Sequence, residues 1–269
     1  MPFPPNAHIL GERGGTNVNR YRSVSIKSKW VKTKWLLGSE ALKDHVPPTV
    51  PFSRDALKRM LEKYPTVYFK PTGGTGGFNI IRIAKQGAGF RTKQKSAVRR
   101  HSGLDALYGF LSPKASREPY LLQKGIALAT VKGKPFDIRV MVQKSSEGVW
   151  TSTGVFLKIG KPGTVATNYA QGGKIGFLEP SLSAAGFSRQ GIAEVRGDLE
   201  RLGVQVGKLF DKRKKGFREL GLDVALDKHD KLWILEVNTR PQFYPLRKAG
   251  DRKLFRRILS FAKQYGRTR

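Results

Sequence analysis

An α+β fold is predicted for this chain, on three observations. Apolar runs of strand length come in adjacent pairs, as at 136–143 with 149–159 and on either side of residues 227–230, where the second run is WILEVN. Segments with helical spacing stand between those pairs instead of alternating with single strands, which argues against a doubly wound parallel sheet. No internal repeat divides the 269 residues, a length for one large domain or two small ones.

The elements follow in order. Pro and Gly crowd the first fifteen residues, so an irregular arm is expected there. Residues 28–46 carry Val31, Trp35, Leu36 and Leu42 at helical spacing, with a break at Gly38-Ser39. Ser53 is placed to cap a helix through Met60 and Leu61. Val67 to Lys70 reads as a strand, Gly73 to Gly77 as a loop, and Phe78 to Ala84 as the returning strand. Residues 85–102 are basic and loosely patterned, an exposed ribbon or loop. Leu104 to Leu111 reads as a helix, Tyr120 to Gln123 as a buried strand, and residues 160–176 as a glycine-rich loop. Ile192, Val195, Leu199, Leu202, Val206 and Leu209 mark one face of an amphipathic helix, and residues 251–265 a basic terminal one.

Composition narrows the chemistry. The chain has 51 Lys+Arg against 20 Asp+Glu, a formal charge of +31, which attracts anions and says little about fold. Cysteine is absent, excluding disulfides, thiolate metal sites and thiol nucleophiles. No apolar run approaches the roughly 18 residues of a membrane span, and the N-terminus lacks a signal-peptide pattern, so a cytoplasmic protein is expected. The histidines His8, His45, His101 and His229 sit in polar segments without metal spacing and are expected at the surface; the four tryptophans are expected in the core.

The strongest signal is ELGLDVALDKHDKLWILEVNTRPQ, residues 219–242. Glu236 and Asn238 are two apart on a strand and project from one face. A hairpin through residues 227–230 would bring Asp223 beside them. Two carboxylates and an amide oxygen form a hard donor set suited to Mg²⁺, and acids brought this close repel without a cation. The loop KPTGGTGG spans Lys70 to Gly77, including Thr75, and its glycines let backbone N–H groups approach an anion. It lacks the Lys-Ser/Thr ending of a Walker loop and the following helix of a dinucleotide fingerprint. Lys70, on an otherwise apolar strand, calls for an anionic partner. Gln123, Lys124 and Ile126 end a strand, where backbone groups can read a base, and Asp137 and Arg139 share a strand face. Asn168 lies in a polar loop.

Taken in this order, the pieces resemble the ATP-grasp superfamily. DIR followed by TNYAQGG and LEVNTRP is similar to its glutamate-ligase branch, and SKW…VPPT…VYFKPTGGTGGFNIIRI is closer still to the YheC/YheD-type proteins, described as endospore coat-associated. The resemblance spans residues 28–265. It implies two α+β subdomains, residues 28–117 and 118–269, with a nucleotide between them. The family's preceding domain is absent or reduced to the extension 1–27. It further implies roles for residues. Lys70 and Lys29 (with Lys32 competing) contact the nucleotide; Gly73, Gly74, Thr75, Gly76 and Gly77 cover the phosphates. Gln123, Lys124 and Ile126 form the adenine hinge, Asp137 lies by the ribose, and Asn168 belongs to the nucleotide and metal pocket. Asp223, Glu236 and Asn238 hold Mg²⁺, or Mn²⁺ in its place. Arg139 lies near the transferred phosphoryl group. Two positions where the glutamate-ligase branch commonly has arginine are Lys158 and Ala166 here, and Lys158 is counted with Arg139 as catalytic.

The implied activity is ATP-dependent joining of a carboxylate to an amine or peptide through an acyl-phosphate. The competing expectation is a binding module that kept the fold and holds an anionic polymer or spore-coat component on its basic surface, giving spore association. Nucleic acid ranks last as a partner, since no recognition helix or aromatic RNA-binding pattern is present.

Overall fold

A computed structural model of the chain describes residues 21–74, 76–161 and 172–267. Thr75 and Asn168, both expected in the site, lie outside the described residues. In chain order the helices are α1 (Lys29–Leu37), α2 (Arg54–Lys63), α3 (Leu104–Ala115), α4 (Leu178–Ala184), α5 (Arg189–Arg213), α6 (Leu246–Ala249) and α7 (Arg252–Gln264). The strands are β1 (Thr49–Pro51), β2 (Thr66–Pro71), β3 (Ile81–Gln86), β4 (Gly89–Gln94), β5 (Ala97–His101), β6 (Tyr120–Lys124), β7 (Thr130–Val131), β8 (Lys134–Lys144), β9 (Trp150–Ile159), β10 (Lys174–Phe177), β11 (Glu219–Leu226) and β12 (Leu232–Asn238).

Two antiparallel sheets organise these elements, and the α+β class holds. The first runs β1-β6-β2-β3-β4-β5; the second runs β10-β9-β8-β11-β12, with β7 pairing β8. β6 is a central strand of the first sheet, so the division between sheets falls after Lys124 and not at residue 117. The expected ribbon at 85–102 is the hairpin β4–β5, which extends the first sheet to an open edge. Six of its eighteen residues are Lys or Arg and few are apolar, so its apolar alternation is weak and backbone pairing defines it.

Local chemistry explains the boundaries. Ser28 caps α1 through Val31 N, Ser53 caps α2 through Ala56 N, and Asp251 caps α7 through Leu254 N. Pro113 sits in the last turn of α3, which extends past the expected Leu111. The β11–β12 turn is held by Asp227, which accepts from the N–H groups of His229 and Lys231 and from Trp233 Nε1.

Alternation along the second sheet divides it into two faces. Ile138, Val140, Val142, Val155, Leu157, Leu222 and Val224 lie on the face that packs on α5, whose buried stripe matches the expected one except at Leu209, which is half-buried beside the buried Phe210. Gly203 and Gly207 let α5 lie close: a Cβ at Gly207 would stand 2.6 Å from Trp150, and one at Gly203 2.7 Å from Val142. Leu36, Leu42 and Val46 join this core, so α1 packs against the second sheet. The opposite face is apolar at one end, where Met141 and Phe156 meet Phe243, Leu246 and Ile258, and polar at the other. The first sheet packs Phe69, Ile81 and Ile83 on α2 and α3.

A buried carboxylate joins the chain's extremities to the second sheet. Glu219, 0% exposed, is ion-paired with Arg267 and accepts from Tyr21 Oη at 2.7 Å and Tyr265 Oη at 2.9 Å. Trp150 is the one fully buried tryptophan among the described residues; Trp30, Trp35 and Trp233 are half-buried. His229 is exposed as expected, whereas His45 and His101 are half-buried; His45 Nδ1 lies 2.9 Å from Leu232 O.

Candidate nucleotide and metal site

The hairpin β11–β12 does what the spacing required. Asp223 lies directly opposite Glu236, and Gly221 opposite Asn238, so all three donors share one sheet face. The strand register slips by one between Asp223 and Val224, which leaves Leu235 without a Cα partner. Its freed carbonyl accepts from Lys70 Nζ at 3.2 Å, tying the two sheets together.

Beside the donors stand the cations. Arg139 on β8 is directly opposite Asp223 and donates from Nε to Asp223 Oδ1 at 2.7 Å. Lys158 on β9 reaches the same oxygen at 3.0 Å and Asp137 Oδ1 at 3.1 Å. Burial raises the Asp223 pKa, but Arg139 and Lys158 outweigh it and hold the carboxyl far below the usual range. Asn238 Nδ2 lies 3.3 Å from Asp223 Oδ2, which leaves its amide oxygen turned elsewhere. Glu236 is one-quarter exposed and its Oε1 lies 3.6 Å from Lys29 Nζ.

The first sheet contributes the other wall. Lys29 donates to the carbonyls of Gly73 and Gly74 at 2.9 and 2.8 Å, so the glycine loop is moored by the same lysine that faces Glu236. Gly74, Gly76 and Gly77 have φ near +75°, which only glycine adopts without strain. Lys70 donates to Gln123 Oε1 at 2.8 Å; Gln123 in turn donates to Thr49 Oγ1 at 3.0 Å. Burial lowers the Lys70 pKa to about 8 and also lowers that of Lys32. The buried face of α1 is thus Lys29, Lys32 and Leu36.

A cavity of about 360 Å³ collects most of this set. It is lined by Lys29, Gly74, Gly76, Gly77, Arg139, Lys158, Asp223, Glu236 and Asn238. Lys70, Gln123 and Asp137 are not part of that lining, and neither are Lys124 and Ile126, expected as the adenine hinge. The Lys124 and Gly125 amides are committed to Pro48 O and Thr66 O, both at roughly ideal distance. Sequence reasoning missed the segment after Asn238. Pro241 crosses over Gly221, where a Cβ would stand 2.4 Å away, and Gln242 O accepts from Arg139 at 3.2 Å. Arg240, Phe243, Phe156 and Ile175 also line the cavity. The signal for that segment was its adjacency to the Glu-Val-Asn strand end.

Divalent-metal donors fit here. Among the described residues no three His, Cys, Asp or Glu side chains converge as ligands, so a metal would rest on two carboxylates and an amide. That all-oxygen set suits Mg²⁺ or Mn²⁺, which keep further positions for phosphate and water oxygens.

A family model described as YheC/D like ATP-grasp matches residues 20–268. The endospore coat-associated protein YheD of Bacillus subtilis (strain 168) is 25% identical over 222 residues, 77% of this chain and 48% of that protein. The endospore coat-associated protein YheC of the same organism is 24% identical over 226 residues, 80% of this chain and 60% of that protein. The chain therefore spans about half to three-fifths of the length of these relatives. D-alanyl-alanine synthetase A from Vibrio cholerae superposes with a TM-score of 0.55 at 12% identity, over 89% of this chain and 65% of that one. At that identity the likeness is one of fold. Among the described residues no helix is long and apolar enough to cross a membrane.

Proposed function

We propose that this chain, which belongs to the YheC/D-like ATP-grasp family, is an ATP- and Mg²⁺-dependent ligase joining a carboxylate to an amine. The observation that carries the reading is one cavity wall bearing Asp223, Glu236 and Asn238 opposite a lysine-moored glycine loop.

In this reading Lys29 and Lys70 meet the phosphates of ATP, and the backbone N–H groups of the glycine loop close over them. The Lys124 carbonyl and the Ile126 amide read the adenine edge, with Gln123 fixed beside them by Lys70 and Thr49. Asp137 serves the ribose side, and Asn168 completes the nucleotide pocket. Asp223, Glu236 and Asn238 would hold the metal, which neutralises charge on the phosphate oxygens when bound. The substrate carboxylate attacks the γ-phosphorus, the bond to the β-phosphate oxygen breaks, and ADP leaves. The amine then attacks the acyl carbon of the acyl-phosphate; inorganic phosphate leaves and the amine proton passes to solvent. Arg139 and Lys158 hold the carboxylate and the developing charge in place, so catalysis is positioning and electrostatics. No side-chain nucleophile is called for, consistent with a chain without cysteine.

Titration calorimetry with Mg-ATP tests the nucleotide reading. Wild-type chain is expected to bind and Glu236→Ala to lose metal-dependent binding; equal affinities refute the assignment. ADP release against a library of amino acids, peptides and carboxylates tests turnover.

A second reading has its own observation. Asp223 is engaged by two cations on one oxygen and Glu236 faces a third. An ATP-binding module without turnover, holding an anionic polymer or coat component, fits that arrangement. ATP binding without ADP release from any substrate pool selects it. The relatives' coat-associated names support spore association, checked by following the tagged chain through spore fractionation.

A further inference from the structure

The face of the first sheet that carries Lys70 and Gln123 does not end at the nucleotide site. Tyr68 on β2 lies opposite Gln123 on β6 and Arg82 on β3; Arg82 lies opposite Lys93 on β4. One row along, Arg91 on β4 lies opposite Arg100 on β5. Directly opposed residues of an antiparallel pair project from the same face, with Cβ atoms about 5 Å apart. Four cations therefore form a block that starts one strand beyond Lys70's own strand and runs to the open edge β5. At about 4.8 Å per strand, the distance from Gln123 to Lys93 is roughly 14 Å.

This arrangement costs free energy in the empty protein. Like charges directly opposite destabilise a sheet, and here two such pairs sit side by side. Nothing nearby compensates in sequence: between Thr66 and Gly103 there are eight Lys or Arg and no Asp or Glu. Among the described residues no carboxylate pairs with Arg82, Arg91 or Arg100; Arg82 donates to the Thr66 hydroxyl at 3.2 Å. Solubility needs neither one sign nor opposed pairs, and the opposite face of the same strands spreads its cations singly, with Arg99 stacked on Phe110.

We propose that this block is a docking track for an acidic peptide, a run of Asp or Glu side chains laid across β3, β4 and β5 so that its reacting carboxylate or amine reaches the cavity. The proposal rests on the ligase reading for what happens at that end, and on charge complementarity for the track. Three of the four cations are arginines, whose planar fork matches a carboxylate bidentately. On β3–β5 this face offers Ala84 and Val98 between the cations; Tyr68 borders the block on β2 and the Phe78 ring is covered by Lys95 Nζ at 5.6 Å, so no row of rings lies among the four cations for bases to stack on in succession.

The test is fluorescence anisotropy of labelled decaglutamate on the full chain at about 50 mM salt, where polyanion contacts are strong. R91Q/R100Q is expected to raise the Kd at least about tenfold, while K85Q/R99Q, the same charge change on the opposite face, stays within about twofold. Both are solvent-facing pairs, and removing Arg91 against Arg100 relieves repulsion, so thermal melting is expected unchanged or raised. Equal losses in the two variants overturn the proposal, as does absence of decaglutamate binding to the wild-type chain. Tighter binding of a ten-nucleotide oligothymidine than of decaglutamate overturns it in favour of nucleic acid. The two readings fail separately. Decaglutamate binding with no ADP release from any pool supports the track and sinks the ligase; ADP release on small acids with no decaglutamate binding does the reverse.

Discussion

At Asp223 two cations share one carboxylate oxygen, Arg139 Nε at 2.7 Å and Lys158 Nζ at 3.0 Å, all three buried. Desolvation of such a cluster is repaid only while it stays complete. Asp223→Asn leaves two buried cations facing an amide and is expected to destabilise the chain by about 3–5 kcal/mol in urea unfolding. Lys70 gives a pH signature of opposite origin. Burial depresses its pKa from 10.5 to about 8, so between those values the unfolded chain holds a proton that the folded chain has released. Stability then rises with pH across that window, because the unfolded state binds more protons. Melting curves from pH 8 to 10.5 are expected to show this rise in the wild type and its loss in Lys70→Met. Under the proposed reading, in which Lys70 meets the phosphates, Mg-ATP affinity is expected to fall above about pH 8 as its ammonium is lost.

Among elements, α5 is the one whose packing is set by two small residues. Gly203 and Gly207 stand one turn apart over Val142 and Trp150, with no room for a side chain. Gly207→Leu is expected to cost at least 1–3 kcal/mol by overpacking, read as a drop in melting temperature, with Mg-ATP affinity little changed in the folded fraction. The elements also show what was readable from residues alone. β11 and β12 were legible because strand period two is unambiguous when a polar triplet interrupts apolar positions, and α5 because its stripe runs over several turns. β10 was not: KIGF is four residues beside a glycine-rich stretch, too short for periodicity. α4 carries Pro180 in its first turn and was missed for the same reason. α1 was found, but its buried face was misjudged. Apolar spacing pointed to Val31, Trp35 and Leu36, of which Leu36 is buried and the other two half-buried, whereas the helix also turns Lys29 and Lys32 inward, toward Glu236 and Asp223. A helix that packs by charge is invisible to a hydrophobic template. Within the candidate site, Asp223, Glu236 and Asn238 could be paired in advance; the return of Pro241 and Gln242 over Gly221 could not, since it depends on a backbone approach with no sequence period.

Across the whole molecule, two sheets meet along few direct links, and Lys70 to Leu235 O is one of them. A second long-range node is Glu219, which gathers Arg267, Tyr265 and Tyr21 from opposite ends of the described chain. Burial and the Glu219 charge push the Tyr21 hydroxyl pKa up to about 12, so it stays a donor at physiological pH. Arg267→Met strands that carboxylate without its cation and is expected to cost about 3–5 kcal/mol in chemical unfolding. The double substitution with Glu219→Gln is expected to recover a large part of that loss, as coupled sites do. The Arg267 guanidinium also stands 5.0 Å from the centre of the Phe243 ring, a wall of the cavity. Tyr21 and Arg267, the two ends of the described chain, accordingly meet at one corner, next to that wall. A chain cut back to Tyr21–Arg267 and closed by a short linker, with fresh ends opened at the turn between β4 and β5, is expected to fold as a circular permutant, read by its melting curve.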